Sequence, residues 1–372
     1  MGISAAVLAL GLSLTACGTT EDGDGGGSDA ACDLKLAFFG PETGDAAGLG
    51  KPIIQGAQLA VDQYNKDAKC KVGLEKKDSQ GSPDAAPALA TDVVSDESII
   101  GVVGPAFSGE SAAAGPIFAE EGVPTITPSA TNPTLADNGW ATFHRALGND
   151  ATQGPAAAKY IKDTIKAKTV YVIDDASEYG AGLAGIVKKD LGGAVSGTDT
   201  IQQKQTDFSA TVTKVTDKNP DAVFFGGYYA EATLLIGQLR DGGFKGTFVV
   251  ADGVKDPAFL DAKKAAEGTI ITCPCIPDTD PAVADFAKAY EAEFGEAPGT
   301  YAAESYDAAN VFLAGIKDGI DDRKDMLEFV NDYDEKGITK QLKFDDKGEP
   351  ADVHVYAYTV KDGAIVPVGE IK

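Results

Sequence analysis

The stretch Ile99-Ile-Gly-Val-Val103, Gly104-Pro-Ala-Phe-Ser-Gly-Glu-Ser111 and, ten residues further on, Glu121-Gly-Val-Pro-Thr-Ile-Thr-Pro-Ser-Ala-Thr131 decides the reading of the whole chain. A short uninterrupted apolar run, Ile99–Val103, has the length and β-branched content of a buried strand. A helical segment, Ser108–Glu121, follows, and a second strand covers Pro124–Thr127. Strand, helix, strand with so little chain between them is a right-handed parallel unit with a helix on one face of the sheet.

The same alternation extends in both directions. Upstream come strand Leu34–Phe39, helix Pro52–Asn65, strand Lys71–Lys76 and helix Asp84–Val94. In the first helix Ile54, Ala57, Val61 and Tyr64 share a face, and Pro52 suits the first turn. After Phe143-His144-Arg145 the pattern restarts. Helix Pro155–Ile165, strand Thr169–Ile173, helix Tyr179–Leu191 and strand Val195–Ile201 lead on to helix Ser209–Thr216. Then come strand Ala222–Phe225, helix Ala230–Arg240 and strands Thr247–Val250 and Thr269–Thr272. Helices Ala282–Phe294 and Tyr301–Ile316 follow, and Gln341–Phe344, Val353–Val360 and Ile365–Val368 read as a meander of short strands. Two series of similar size imply an α/β protein of two doubly wound parallel-sheet lobes.

The N-terminus is of another kind. Residues 1–16 are uncharged and mostly apolar, and they end in Leu14-Thr15-Ala16-Cys17. This is a signal-peptide core and cleavage site, too short to stay as a membrane-spanning helix. Leu-x-Ala-Cys resembles the bacterial lipobox, which implies cleavage before Cys17 and a lipid on it, although no Lys or Arg precedes that cysteine. Residues 17–31 are rich in Gly and acids, and read as a flexible tether. The fold is expected to begin at Cys32.

Composition narrows the function. The 32 basic and 57 acidic residues leave a net charge of −25 with no basic stripe, which disfavours nucleic acid as a partner. Asp321-Asp322 and Asp345-Asp346 lack calcium-loop spacing, and no metal or cofactor is expected. Cys32, Cys70, Cys273 and Cys275 are disulfide candidates in an exported chain. Cys32 and Cys70 open adjacent strands at one edge and could bridge, whereas a Cys273-Pro274-Cys275 bridge would be tight. The two histidines, His144 and His354, belong to no triad or HExxH arrangement, so an enzyme is not expected.

Open parallel sheets bind ligands beyond the carboxyl ends of their strands. Those positions carry Phe107, Ser108, Ser129, Ala130, Thr131, Tyr179, Tyr228 and Asp252. The inventory suits a zwitterion. Ser108 at a helix start and the Thr131 hydroxyl would meet a carboxylate, and Asp252 an ammonium. The tyrosines would supply apolar walls with polar tips. Each taken singly also fits a plainer role: an N-cap, an Asp-Gly turn, ordinary packing.

The two opening stretches, together with Gln153-Gly-Pro-Ala-Ala-Ala-Lys-Tyr160, Glu178-Tyr-Gly-Ala-Gly-Leu-Ala184, Asp207-Phe-Ser209 and Phe225-Gly-Gly-Tyr228, resemble the substrate-binding lipoproteins of branched-chain amino-acid ABC importers. The resemblance runs from about Leu34 to the C-terminus. It implies the type I periplasmic-binding-protein fold, with three crossovers near Ala146–Asp150, Cys273–Ile276 and Glu349–Asp352. The first lobe would then hold residues 32–147 and 276–350, the second 148–275 and 351–372. The resemblance also implies that Ser108 holds the ligand carboxylate and that Ser129–Thr131 and the tyrosines Tyr179 and Tyr228 line the cleft, with Tyr301 as a further aromatic wall. Asp252 stands where the family usually has glutamate, and Leu49 where it has a tyrosine, which points to a deeper or more apolar pocket. Phe107 occupies a family disulfide position, so Cys32–Cys70 would replace that bridge.

The expected protein is a monomer on the outer face of the cell membrane. It would take an apolar amino acid and deliver it to a membrane permease. A binder of an amide, urea or small carboxylate, or a sensory component, is the alternative.

Overall fold

Strands that are apolar without interruption take the middle of two sheets, as burial on both faces requires. In the computed structural model, which describes residues 32–372, Ile99–Val103 and Ala222–Gly226 are buried at every position. The leader, Cys17 and the tether lie outside the described residues.

The first lobe begins with β1 (Leu34–Gly40), α1 (Ala47–Asp67), β2 (Val72–Asp78), α2 (Ala86–Ser95) and β3 (Ile99–Val103). It continues with α3 (Ser108–Glu120), β4 (Thr125–Thr127) and β5 (Phe143–Arg145). Its sheet has the order β2-β1-β3-β4-β5, with every neighbouring pair parallel.

The second lobe runs α4 (Asp150–Lys159), β6 (Val170–Asp174), α5 (Glu178–Leu191), β7 (Val195–Thr200) and α6 (Ser209–Lys218). Then come β8 (Ala222–Gly226), α7 (Tyr229–Asp241), β9 (Thr247–Ala251) and β10 (Ile270–Cys273). Its parallel strands repeat the first lobe's order, β7-β6-β8-β9-β10. Both lobes thus share one doubly wound topology, in which the strand order reverses beside the first strand of each.

The chain then returns to the first lobe through α8 (Ala284–Phe294), α9 (Ala302–Lys317) and α10 (Arg323–Asn331), with α9 packed on α1 and α10 on β3. The α1–α9 approach is close enough that a Cβ on Gly56 would sit 2.1 Å from the Ala302 carbonyl oxygen. A two-stranded ribbon, β11 (Asp334–Lys336) and β12 (Gln341–Lys343), precedes the last crossing. A hairpin of β13 (Tyr356–Lys361) and β14 (Ala364–Glu370) ends the described chain.

Several expectations change. The second sheet is not wholly parallel, because β13 pairs antiparallel with β10 and β14 with β13. The expected C-terminal meander is two separate pieces, since β12 pairs back on β11 instead of joining β13. Phe143–Arg145 is a fifth strand in register with Thr125–Thr127, too short to show a period of its own. The helix expected from Pro155 begins at Asp150, where the Asn149 side chain accepts from the Ala151 N–H at 2.9 Å. It closes in a π turn over Tyr160–Ile165.

The three passages between the sheets touch one another. A Cβ on Gly148 would lie 2.3 Å from Val353 Cγ1 and 3.1 Å from Pro274 Cβ, so each crossover supplies one of these residues. Cys273 and Cys275 are joined by a disulfide across this point and are buried. Cys32 and Cys70 are disulfide-bonded as well. Fully buried Arg145, at the end of β5, forms a two-pronged ion pair with Glu349, Nε to Oε2 at 3.0 Å and Nη2 to Oε1 at 2.9 Å. His144, beside it, is a core residue whose ring meets Asn331 Oδ1 at 2.9 Å and the Thr125 carbonyl at 3.3 Å.

Candidate functional site

The loops that leave β3, β4, β6, β8 and β9 converge between the two sheets. They enclose a small chamber lined by Leu49, Phe107, Ser108, Ser129, Tyr179, Tyr228, Asp252, Gly253 and Tyr301. Those loops come from both lobes, so closing the lobes builds the chamber.

Asp252 is its electrostatic centre. It follows β9 directly and is completely enclosed. One carboxylate oxygen accepts from Gln153 Nε2 at 2.6 Å and from the Tyr179 hydroxyl at 2.9 Å; the Tyr301 hydroxyl donates to the other. Burial pushes the Asp252 carboxyl upward, and the three donors pull it back. Tyr179 also accepts from the Gly253 N–H at 3.1 Å, which fixes the direction of its own proton. The phenols of Tyr179 and Tyr301 are held well above the ordinary tyrosine range, first by burial and then by the Asp252 charge, so both remain donors.

Ser108 opens α3 but does not cap it. The N-cap position belongs to Phe107, and the Ser108 hydroxyl instead accepts from the Asn132 N–H at 3.2 Å. Ser129 donates to the Ala106 carbonyl at 2.6 Å, tying the β3 and β4 loops together. Ala130 and Thr131 do not reach the chamber surface. The Ala130 carbonyl is held by Arg145 Nη1, and the Asn132 carbonyl by Arg145 Nη2 at 3.0 Å.

Thr131 lies behind the wall with its hydroxyl beside the buried Asp150 carboxyl, and Gln153 Oε1 is left without a partner. The Asp150 carboxyl and Gln153 Oε1 stand near Asp252, and a buried polar group left unpaired costs about 1–3 kcal/mol. Burial and then the Asp252 charge hold the Asp150 carboxyl well above its usual range. The region behind Asp252 is rich in oxygen acceptors, which is what a cationic group requires.

Four contributors were not singled out from sequence. Arg145, Asp150 and Gln153 act through partners distant along the chain; Gln153 could have been found only as the first residue of a family stretch. Glu110, one turn into α3, is the fourth. Its carboxylate accepts from the Phe107 N–H at 3.0 Å and from the Ser79 hydroxyl, and burial pushes it up to about 7.

Glu110 makes stability depend on pH. An acid whose folded pKa exceeds its unfolded value holds more protons in the folded state, so stability falls as pH rises between the two. The window here runs from 4.5 to about 7. Glu110→Gln, which cannot ionise, is expected to remove that fall, about 3 kcal/mol at pH 8 relative to pH 4. Urea melts of both proteins across pH 4–8 check this; parallel curves would discard it.

The geometry defines a two-lobed binding protein whose ligand is enclosed between α/β lobes. A family model described as periplasmic binding protein matches residues 33–364, and the chain belongs to that family. The leucine-specific-binding protein of Salmonella typhimurium is 33% identical over 330 residues, covering 86% of this chain and 88% of that protein. The leucine-, isoleucine-, valine-, threonine- and alanine-binding protein of Pseudomonas aeruginosa is 33% identical over 334 residues, 87% of this chain and 88% of its own. The substrate-binding protein LivJ of Streptococcus pneumoniae, solved with isoleucine, is similar in structure with a TM-score of 0.84 at 28% identity. It covers 90% of this chain and 99% of its own.

Proposed function

We propose that this protein captures a branched-chain or other apolar amino acid outside the cytoplasm and hands it to the membrane permease of an ABC importer. The observation that carries the reading is one enclosed carboxylate, Asp252, in a small chamber otherwise walled by Leu49, aromatic rings and hydroxyls. A buried anion seeks a cation, and an apolar wall beside it seeks an aliphatic side chain. The names of the relatives, which bind leucine, isoleucine and valine, point the same way.

In this reading Asp252 takes the ligand's ammonium, and Ser108 with the first N–H groups of α3 takes its carboxylate. Thr131 adds its hydroxyl on a small shift of the β4 loop. Closure is supported by contacts that join the lobes outside the chamber. Asn132 Nδ2 donates to the Glu178 carbonyl at 3.0 Å, and the Gly48 N–H to the Tyr229 hydroxyl at 3.2 Å. Ligand contacts to both lobes add to these and shift the equilibrium toward the closed form, the surface a permease would read. Calorimetric titration with leucine, isoleucine and valine tests the reading. Micromolar or tighter binding of at least one supports it, and no heat with any of them sinks it.

The anchor belongs to the same proposal. Among the described residues no helix is long and apolar enough to cross a membrane. Cys17, at the end of the lipobox-like stretch, is the residue that would carry a lipid. Cys17→Ser is expected to move the protein from the membrane fraction to the soluble one. Membrane association that survives the substitution in a cell fractionation would rule out lipidation.

A further inference from the structure

Phe107 and Tyr228 hold equivalent places in the two lobes. Phe107 is the N-cap residue of α3, just after β3, and Tyr228 is the N-cap residue of α7, just after β8. Because the lobes share one topology, closure brings these two positions face to face. Their ring centroids lie 4.8 Å apart with the planes at 38°.

The pair separates three spaces. On one side is the inner chamber, whose free volume is about 10 Å³ with the rings shut. On the other are two grooves open to solvent, with free volumes of about 460 Å³ and 260 Å³. Of the residues lining these spaces, only Phe107 and Tyr228 border all three. Small-molecule pockets commonly measure about 300–1,000 Å³. The inner chamber falls far below that range, one groove lies within it and the other just under it. The thickness of one ring pair therefore decides whether the site is small or large.

Phe107 is the more tightly held leaf. Its N–H donates to Glu110 at 3.0 Å. Its ring lies against Gly81, where an added Cβ would already be 3.4 Å from it. Gly81 also has a φ of +72°, a conformation that other residues adopt only under strain. Tyr228 rests in turn on Tyr179, with centroids 5.2 Å apart, so the wall is continuous with the Asp252 cluster.

We infer that Phe107 sets the upper limit on the ligand side chain: its ring, closed on Tyr228, admits branched aliphatic amino acids and excludes aromatic ones. The inference rests on the amino-acid reading above and adds the size rule to it. Any amino acid must widen the chamber, but an aromatic one would also have to part the rings and hold the lobes open, losing the contacts that closure makes. Replacing Phe107 by a small residue joins the chamber to the grooves and gives a longer side chain somewhere to go.

The test is calorimetry of the wild type, Phe107→Ala and Phe107→Leu, each titrated with leucine and with phenylalanine. In the wild type leucine is expected to bind at least about 100-fold more tightly than phenylalanine. In Phe107→Ala that ratio is expected to shrink by about tenfold or more, through weaker leucine and stronger phenylalanine binding, with Phe107→Leu in between. If the alanine variant does not fold by circular dichroism, the leucine variant carries the same comparison. A wild type that binds phenylalanine as well as leucine overturns the inference, as does an unchanged ratio in a folded variant. A wild type that binds none of leucine, isoleucine, valine and phenylalanine defeats the amino-acid reading itself, and the size rule with it; where isoleucine or valine binds in place of leucine, it takes leucine's part in the comparison.

Discussion

Asp252→Ala is expected to weaken amino-acid binding by about 100-fold or more, because a buried charge pair that loses one partner leaves the other unpaired, at about 2–5 kcal/mol. The magnitude follows from enclosure. The carboxylate is fully buried, so no water can take its place, and its neighbours Tyr179, Tyr301 and Gln153 are oriented as donors toward it. Without the carboxylate those donors face the ligand's ammonium with nothing to balance it. Asp252→Asn is the finer probe. It keeps the shape and an acceptor oxygen but removes the charge, and its loss should approach that of alanine. Calorimetry with the tightest-binding amino acid measures both variants. Affinity within threefold of wild type in a folded Asp252→Ala protein would discard the role.

Arg145→Met is the variant with the largest expected cost to the fold. Arg145 has no exposure, pairs with Glu349 through two hydrogen bonds and holds the carbonyls of Ala130 and Asn132. Breaking a buried pair from one side destabilises by about 3–5 kcal/mol, since the remaining charge is left uncompensated. For a chain of this size that is a fall in Tm of about 5 °C. The double variant Arg145→Met, Glu349→Leu should recover part of the loss, because it also removes the orphaned acid. A single variant that melts within 1 °C of wild type in scanning calorimetry would contradict the account. Binding should weaken alongside stability, because Arg145 braces the loop that carries Ser129 and Thr131.

How much of this was readable in advance depended on the range of the physics involved. The apolar runs Ile99–Val103 and Ala222–Phe225 declared central strands because burial on both faces is a property of the run itself. The rule that open sheets bind beyond their strand ends then pointed to Ser108, Ser129, Tyr179, Tyr228 and Asp252, all of which line one chamber. It also pointed to Ala130 and Thr131, which lie behind the wall, since neighbouring positions in a loop cannot all face inward. The triplet Phe143–Arg145 was invisible as a strand because its support comes from residues elsewhere in the chain, the pairing with β4 and the Gly348 carbonyl.

Asp252 was conspicuous as an acid after a strand, and the amphipathic series around it determined two α/β lobes with no knowledge of contacts. What holds Asp252 was not conspicuous at all. Gln153, Tyr179 and Tyr301 are 99, 73 and 49 residues away in the chain, and Glu349 is 204 from Arg145. Local pattern determined the sheets and the strand ends, because periodicity and propensity act over a few residues. The buried charge network and the Phe107–Tyr228 wall were decided only by tertiary structure, because hydrogen bonds and ring contacts across a cleft exist only once two lobes have been brought together.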